Sequence, residues 1–297
     1  AYLMSEGLQN RLQASAIVIL SPNTLFESYI SGVLPELGEH NSMTLEFEQI
    51  ARRITQGYCG GIHTRNEDLE AMFSNGDDAV REAMRRDMRF KMSSGFAAMI
   101  CRYKDRCVQM LPLADIRIGD RVVAAADDMR ALLTRKQDRN CFQSRLERLR
   151  AMVLDALRDA QSSRIEELEA AYAGQTDEPA EDAARARAAS LREAAHNRRQ
   201  LMRMTQPDYQ GMYRRLVTDP ALLTALCGGK HIRDLEKMCD YSREHLDFKN
   251  MSYADAMAFS WFMLQFIRAD FYRGVKQVVV DEAQDYAPMQ YRILKTL

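Results

Sequence analysis

The chain has 297 residues, about the length of two domains, with 46% apolar and 28% charged residues. That balance excludes a globally disordered polypeptide, and 41 basic against 42 acidic residues, a net charge of -1, excludes a uniformly basic nucleic-acid coat. Seven prolines and 14 glycines are few for this length and point to long helices, while six cysteines without a CxxC pair argue against a zinc ribbon or a thioredoxin-like motif and for reduced thiols.

Ala1 to Leu12 reads as the end of a helix. Ala16-Ile17-Val18-Ile19-Leu20, stopped by Ser21-Pro22-Asn23, reads as a strand buried on both faces. Leu25, Tyr29 and Val33 share one stripe of a helix over about Thr24 to Leu34. Ser42 to Leu45 forms a short strand candidate, and Phe47, Ile50, Ala51 and Ile54 continue as an amphipathic helix. Helices are expected over Asn66 to Phe73 and Asp77 to Lys104. Ile116 and Ile118, Gly119-Asp120 and Val122-Val123 form a small hairpin pattern, and Asp127 is placed to cap the helix that follows.

From Lys136 to Met204 the sequence is rich in Ala, Arg, Glu and Leu. Leu146, Leu149, Val153, Leu157 and Ala160 form one stripe. Gly174 to Pro179 breaks it, with Thr176 or Asp177 as the cap, and Ala184, Ala188, Leu191, Ala195 and Met202 form a second stripe. The expectation is an antiparallel helical hairpin in which the two stripes face each other. It is close to charge-balanced over 138–172, with six basic and seven acidic residues, which suits a protein-contacting arm or a self-stabilising coiled coil better than a DNA-binding arm.

Helices are then expected over Tyr209 to Val217, Pro220 to Leu226, Ile232 to Cys239 and Ala254 to Tyr272. No apolar run approaches the ~20 residues of a membrane span. The nearest, Ala254 to Ile267, contains Asp255, Ser260 and Gln265 and reads as a buried helix whose Met257, Phe259, Trp261, Phe262, Met263, Phe266 and Phe271 are core. No signal-peptide pattern opens the chain, so a cytoplasmic location is expected. Val278-Val279-Val280 is a second buried-strand candidate, and Pro288 opens a last helix. The two end strands are expected in one parallel sheet. The divisions are then 1–57 (first α/β part), 58–273 (mainly helical insertion, with the hairpin arm at 136–204) and 274–297 (second α/β part).

The segment richest in chemistry is Val278-Val279-Val280-Asp281-Glu282-Ala283-Gln284-Asp285. An apolar strand delivers two adjacent carboxylates just past its carboxyl end, where open α/β sheets bind ligands. Nucleotide hydrolysis needs one carboxylate for a hydrated Mg²⁺ and another beside the attacking water. Asp281 fits the metal role and Glu282 that of the catalytic base, with Gln284 and Asp285 beyond them toward the γ-phosphate.

This segment, continuing as Tyr286-Ala287-Pro288-Met289-Gln290-Tyr291, resembles the Walker B segment (motif II) of UvrD/Rep-like superfamily 1 DNA helicases. Ile19 to Asn23, Phe26, Tyr29-Ile30, Val33 to Glu39 and Met251 to Ala256 resemble the HelD-type branch, which associates with bacterial RNA polymerase. The resemblance implies a partial RecA-like sheet of the P-loop NTPase type, interrupted by a large helical insertion. It also implies ATP and Mg²⁺ as cofactors, and single-stranded DNA and RNA polymerase as partners. A generic UvrD/Rep-like repair helicase, or an insertion serving only as a protein-docking module, is the alternative. Ser21, Pro22 and Asn23 fall where motif Ia contacts single-stranded DNA, although Ser-Pro-Asn after a strand is also an ordinary turn.

The family's phosphate-binding GxxxxGK[ST] occurs nowhere in the chain. Gly228-Gly229-Lys230 lacks the earlier Gly and is followed by His231. Residues 1–297 are therefore expected to be an inactive piece of the first motor domain that holds neither ATP nor Mg²⁺ tightly. Between Arg81 and Arg106, eight basic residues stand against three acidic ones, with Phe90, Phe96 and Tyr103 interleaved. Such a stretch suits a phosphate backbone, an acidic protein surface or a solvated helix face.

Overall fold

A computed structural model describes residues 17–21, 43–135, 141–272 and 274–296. The described residues are mostly helical, with three small sheets among them. The expected helices at 1–12 and 24–34 lie outside the described residues, as do Pro22 and Asn23. No described helix is long and apolar enough to cross a membrane. The structure divides into two compact units: the described residues up to Lys104 together with those from Tyr209 onward, and Asp105–Asp208. The stretch read as one insertion over 58–273 is thus divided between them.

In the first unit, β1 (Ile17–Leu20) lies between β2 (Met43–Leu45) and β7 (Gln277–Val280), parallel to both. The two end strands therefore share a parallel sheet. Ile17, Val18 and Leu20 are buried, as a central strand requires, but β7 is not buried on both faces, since Val279 is 39% exposed. Among the described residues β7 is an edge strand of this sheet. Helix α1 (Phe47–Ile54) buries Phe47, Ile50, Ala51 and Ile54, the three-and-four spacing of one helical face.

A second, two-stranded parallel pairing escapes the sequence: β3 (Gly61–Ile62) with β6 (Asn250–Met251). Gly60 makes it feasible, because a Cβ there would lie 2.7 Å from the Lys249 carbonyl oxygen. Helix α2 (Arg65–Ser74) starts in a capping box formed by Thr64 and Glu67. The helix expected over 77–104 is two helices, α3 (Asp78–Lys91) and α4 (Ser94–Gln109). The break follows from Ser93, whose hydroxyl accepts from Phe96 N–H at 3.1 Å and donates to the Phe90 carbonyl at 2.6 Å.

Helices α8 (Tyr209–Thr218), α9 (Pro220–Leu226) and α10 (Leu235–His245) complete this unit's middle. Helix α10 begins three residues later than expected because Asp234 adopts a left-handed backbone, φ 55°. All twelve residues of α11 (Tyr253–Leu264) are buried, and the helix packs on α1, α3, α8 and the last helix, α12 (Pro288–Leu294). It stops at Leu264 instead of running to Tyr272; Asp270–Tyr272 is a separate 3₁₀ turn. The Trp261 indole donates to the Ala97 carbonyl at 3.0 Å inside this core.

The second unit contains the expected hairpin, β4 (Ile116–Ile118) antiparallel to β5 (Arg121–Ala124), turned through Gly119 at φ 55°. In α5 (Ala126–Thr134) Asp127 is not the cap. The Ala126 N–H is instead taken by the Asp115 carboxylate at 2.9 Å, and Ala125 occupies the cap position.

Helices α6 (Phe142–Tyr172) and α7 (Pro179–Met204) form the long hairpin. Neither Thr176 nor Asp177 caps α7, whose cap position is Glu178. Asp182 organises the turn, accepting from Gly174 N–H at 2.9 Å and from the Thr176 hydroxyl at 2.9 Å. The α6 stripe is buried as expected. The α7 stripe is not: Leu191 is 65% and Met202 42% exposed, and Ala184 and Ala195 are exposed too. The buried face of α7 is instead Asp182, Ala186, Ser190, Asn197, Leu201 and Met204. Its polar members have partners that offset their desolvation: Ser190 accepts from Gln161 at 3.3 Å, and Asn197 donates to the Arg117 carbonyl at 2.7 Å.

Candidate functional site

The parallel ladders decide what meets at the carboxyl end of the sheet. Leu20 is paired to Leu45 on one side and Val280 on the other. Each ladder runs one hydrogen bond further: Ser21 N–H donates to the Leu45 carbonyl at 3.3 Å, and Asp281 N–H donates to the Leu20 carbonyl at 2.9 Å. Ser21 and Asp281, far apart along the chain, thus emerge together at the carboxyl end of the sheet. Ser21 is buried, Asp281 half-buried, and Glu282, Gln284 and Asp285 exposed.

After β7 the chain turns through Glu282, at φ 48°, into a 3₁₀ turn, Ala283–Asp285. A left-handed backbone is unusual for a residue with a side chain and persists where surrounding contacts fix it. Here Asp285 N–H donates to the Glu282 carbonyl at 2.8 Å, and the Gln284 amide donates to the Glu282 carboxylate. Two residues clamp the turn from outside. The Tyr291 hydroxyl donates to the Ala283 carbonyl at 2.6 Å, and Arg65 donates to the Asp285 carbonyl at 3.3 Å. The Arg65 N–H in turn donates to the Glu48 carboxylate at 3.3 Å, so α1 and α2 both brace the acidic turn.

Beside the turn is a cleft of about 490 Å³ whose walls include Ser21, Glu48, Arg65, Tyr253, Asp285 and Tyr286. Its back is fixed by the buried Gln290, which donates to the Tyr253 hydroxyl at 2.8 Å and accepts from Ala287 N–H at 2.9 Å. Burial, with Glu48 and Asp281 nearby, pushes the Tyr286 phenol up to about 12. It is therefore a neutral hydrogen-bonding group at physiological pH. The acidic segment and Ser21 were legible in the sequence. Arg65 and Glu48 were not, since nothing in the spacing links them to residues so distant along the chain; Tyr291 lies within the segment, but its bond to the Ala283 carbonyl leaves no mark in the pattern.

A second cleft, of about 590 Å³, includes His63, Asp68, Asp87, Lys91 and Asp255 among its lining. Asp68 accepts from Tyr253 N–H at 2.7 Å and lies 2.7 Å from His63 Nδ1, which fixes that ring. Deeper, the Lys91 ammonium lies 2.9 Å from Asp87 and 2.8 Å from Asp255, with all three residues at 5% exposure or less. At these distances the ammonium is both ion-paired with and hydrogen-bonded to the two carboxylates. Tyr213 donates to Asp255 at 2.9 Å, while Asp87 has Ser242 at 3.3 Å. Burial pushes Asp87 up to about 6, against the opposing pull of Lys91.

Other sequence features resolve plainly. Arg81, Arg85 and Arg86 pair with Asp78, Glu82 and Asp234, and Lys91 with Asp87, so half of the eight basic residues in the stretch have carboxylate partners. Gly228 and Gly229 are left-handed turn residues following α9. All six cysteines are free. Among the described residues no group of three or more His, Cys, Asp or Glu could hold a metal ion. No protein-family model matches the sequence, and no curated protein matches it.

Proposed function

We propose that the sheet carries the Walker B segment of an ATP-driven, superfamily 1 DNA helicase or translocase on a partial RecA-like fold. The supporting observation is the parallel pairing of β1 with β7, which brings Ser21 and Asp281 to one sheet end with Glu282 on a clamped turn beside them. Asp281 is assigned to the metal and Glu282 to the attacking water; Gln284 and Asp285 extend toward the nucleotide. The donor set fits Mg²⁺, which keeps several waters and takes one or two carboxylates plus substrate phosphates, and does not need an all-protein cage. When bound, Mg²⁺ would neutralise charge developing on the phosphates. Hydrolysis further requires a phosphate cradle, and the GxxxxGK[ST] motif that builds one in this superfamily does not occur in residues 1–297. The HelD-type reading, with single-stranded DNA and RNA polymerase as partners, rests on the resemblance of the opening segment and of Met251 to Ala256.

The test is Glu282→Gln in a polypeptide that carries the P-loop as well as this chain. Hydrolysis should fall by about 10²–10⁴, the scale for losing a general base. Nucleotide affinity should stay within about threefold, because neither the cradle nor the metal ligand changes. Hydrolysis at the unsubstituted rate refutes the assignment.

A further inference from the structure

Leu191 is 65% exposed one residue from Ser190, which is buried in the seam. The hairpin therefore holds its register with satisfied polar groups and presents an apolar strip outward. Leu191 and Ala195 of that strip line a groove of about 400 Å³ together with Leu154 and Leu157 of α6 and Ile118 of β4, and Arg158 and Arg198 also border it. The alanine side allows a close backbone approach, and paired antiparallel helices offer the three-and-four spacing into which a third helix packs.

The charge around the groove selects the occupant. Helix α7 has six arginines and three carboxylates, and all three carboxylates are already engaged. Glu181 pairs with Arg185 at 2.7 Å, Asp182 holds the turn, and Glu193 accepts from Arg164 at 3.2 Å and Gly119 N–H at 2.8 Å. Arg192, Arg198 and Arg199 form no ion pair among the described residues, and Arg158 has only the exposed Asp155 at 3.1 Å. The outward face of α7 is thus cationic around an apolar strip. A second copy docking through the same face would set arginine against arginine. A nucleic acid would use the charge but leave Leu191 uncovered.

We propose that this groove docks an acidic amphipathic helix of a partner protein. The idea stands apart from the nucleotide site. The probe is a fluorescein-labelled 18-residue peptide with leucines at helical spacing and glutamate flanks, titrated into the full chain by anisotropy. A twin peptide with lysine flanks is the comparison. The glutamate peptide should saturate and bind about tenfold or more tighter than its twin. Leu191→Asp, at an exposed position that leaves the seam intact, should weaken it about tenfold or more. Arg158→Glu/Arg198→Glu should abolish the preference for glutamate. Four results overturn the proposal: no saturable binding, equal binding of both peptides, binding untouched by Leu191→Asp but competed by single-stranded or duplex DNA, or a dimer by light scattering that Leu191→Asp dissolves.

Discussion

Replacing Lys91 by Met tests the buried charge cluster, and its magnitude follows from the geometry. The ammonium sits 2.9 and 2.8 Å from two carboxylates that are almost entirely buried. Without it, Asp255 keeps the Tyr213 hydroxyl and the Ser252 hydroxyl, each at 2.9 Å, whereas Asp87 keeps only Ser242 at 3.3 Å. Asp87 is therefore the group that must take up a proton. Protonating an ordinary aspartate requires about 4 kcal/mol at pH 7 and about 1.5 kcal/mol at pH 5, from 1.36 kcal/mol per pH unit above its normal value. The neutral-pH figure agrees with the roughly 3–5 kcal/mol seen when one partner of a buried pair is removed. For a unit of this size that is a melting-temperature loss of roughly 8–16 °C. Trp261, the single tryptophan, lies on the same helix as Asp255 and reports this unit's unfolding by fluorescence. The loss should shrink markedly at pH 5, and Asp87→Asn in the Lys91→Met background should restore most of it. In the unsubstituted protein the folded state holds the Asp87 proton more tightly than the unfolded chain does. That contribution is complete below about pH 4 and is lost as pH rises through about 6, so Asp87→Asn alone should flatten the stability profile across that window. A Lys91→Met protein melting within about 2 °C of the parent at pH 7, or a deficit equal at pH 5 and 7, refutes the reasoning.

Gly60→Ala should destabilise the same unit by about 1–3 kcal/mol, because a methyl group 2.7 Å from the Lys249 carbonyl forces β3 away from β6; amide exchange at Gly60 and His63, which donate to Phe248 and Met251, should accelerate, and unchanged protection there would contradict the close-approach argument. Arg65→Ala removes the donor to the Asp285 carbonyl. In the P-loop-bearing polypeptide it should lower kcat roughly tenfold through misplacement of the acidic turn while leaving the KM for ATP nearly constant; a change confined to KM would show that Arg65 contacts the nucleotide instead.

How far the sequence revealed this architecture depended on whether local pattern and tertiary partner agreed. At β1 they did: a run of apolar, β-branched residues ending at Ser21-Pro22 is a buried strand on local grounds, and the pairing with β7 supplies the burial. In α1 the spacing of Phe47, Ile50, Ala51 and Ile54 is the buried face itself. The acidic turn was visible as composition, but its clamps were not, because Arg65 and Tyr291 act on backbone carbonyls and leave no trace in side-chain spacing. The Asp87–Lys91 pair has the four-residue spacing of a surface ion pair, and only Asp255, on a different helix, makes it a buried cluster. The α7 helix is the instructive failure. Alanines on every face give almost no hydrophobic contrast, so Leu191 and Met202 dominated the reading, while the seam was settled by Gln161 and the Arg117 carbonyl reaching Ser190 and Asn197. Polar groups with fixed partners lose little by burial, and an exposed leucine loses the ~1.5–3 kcal/mol that covering it would contribute. The hairpin alone recovers the first and forgoes the second. The outward placement of Leu191 is thus a cost in the isolated chain that a helix laid into the groove removes, and it ties the misread stripe to the docking face.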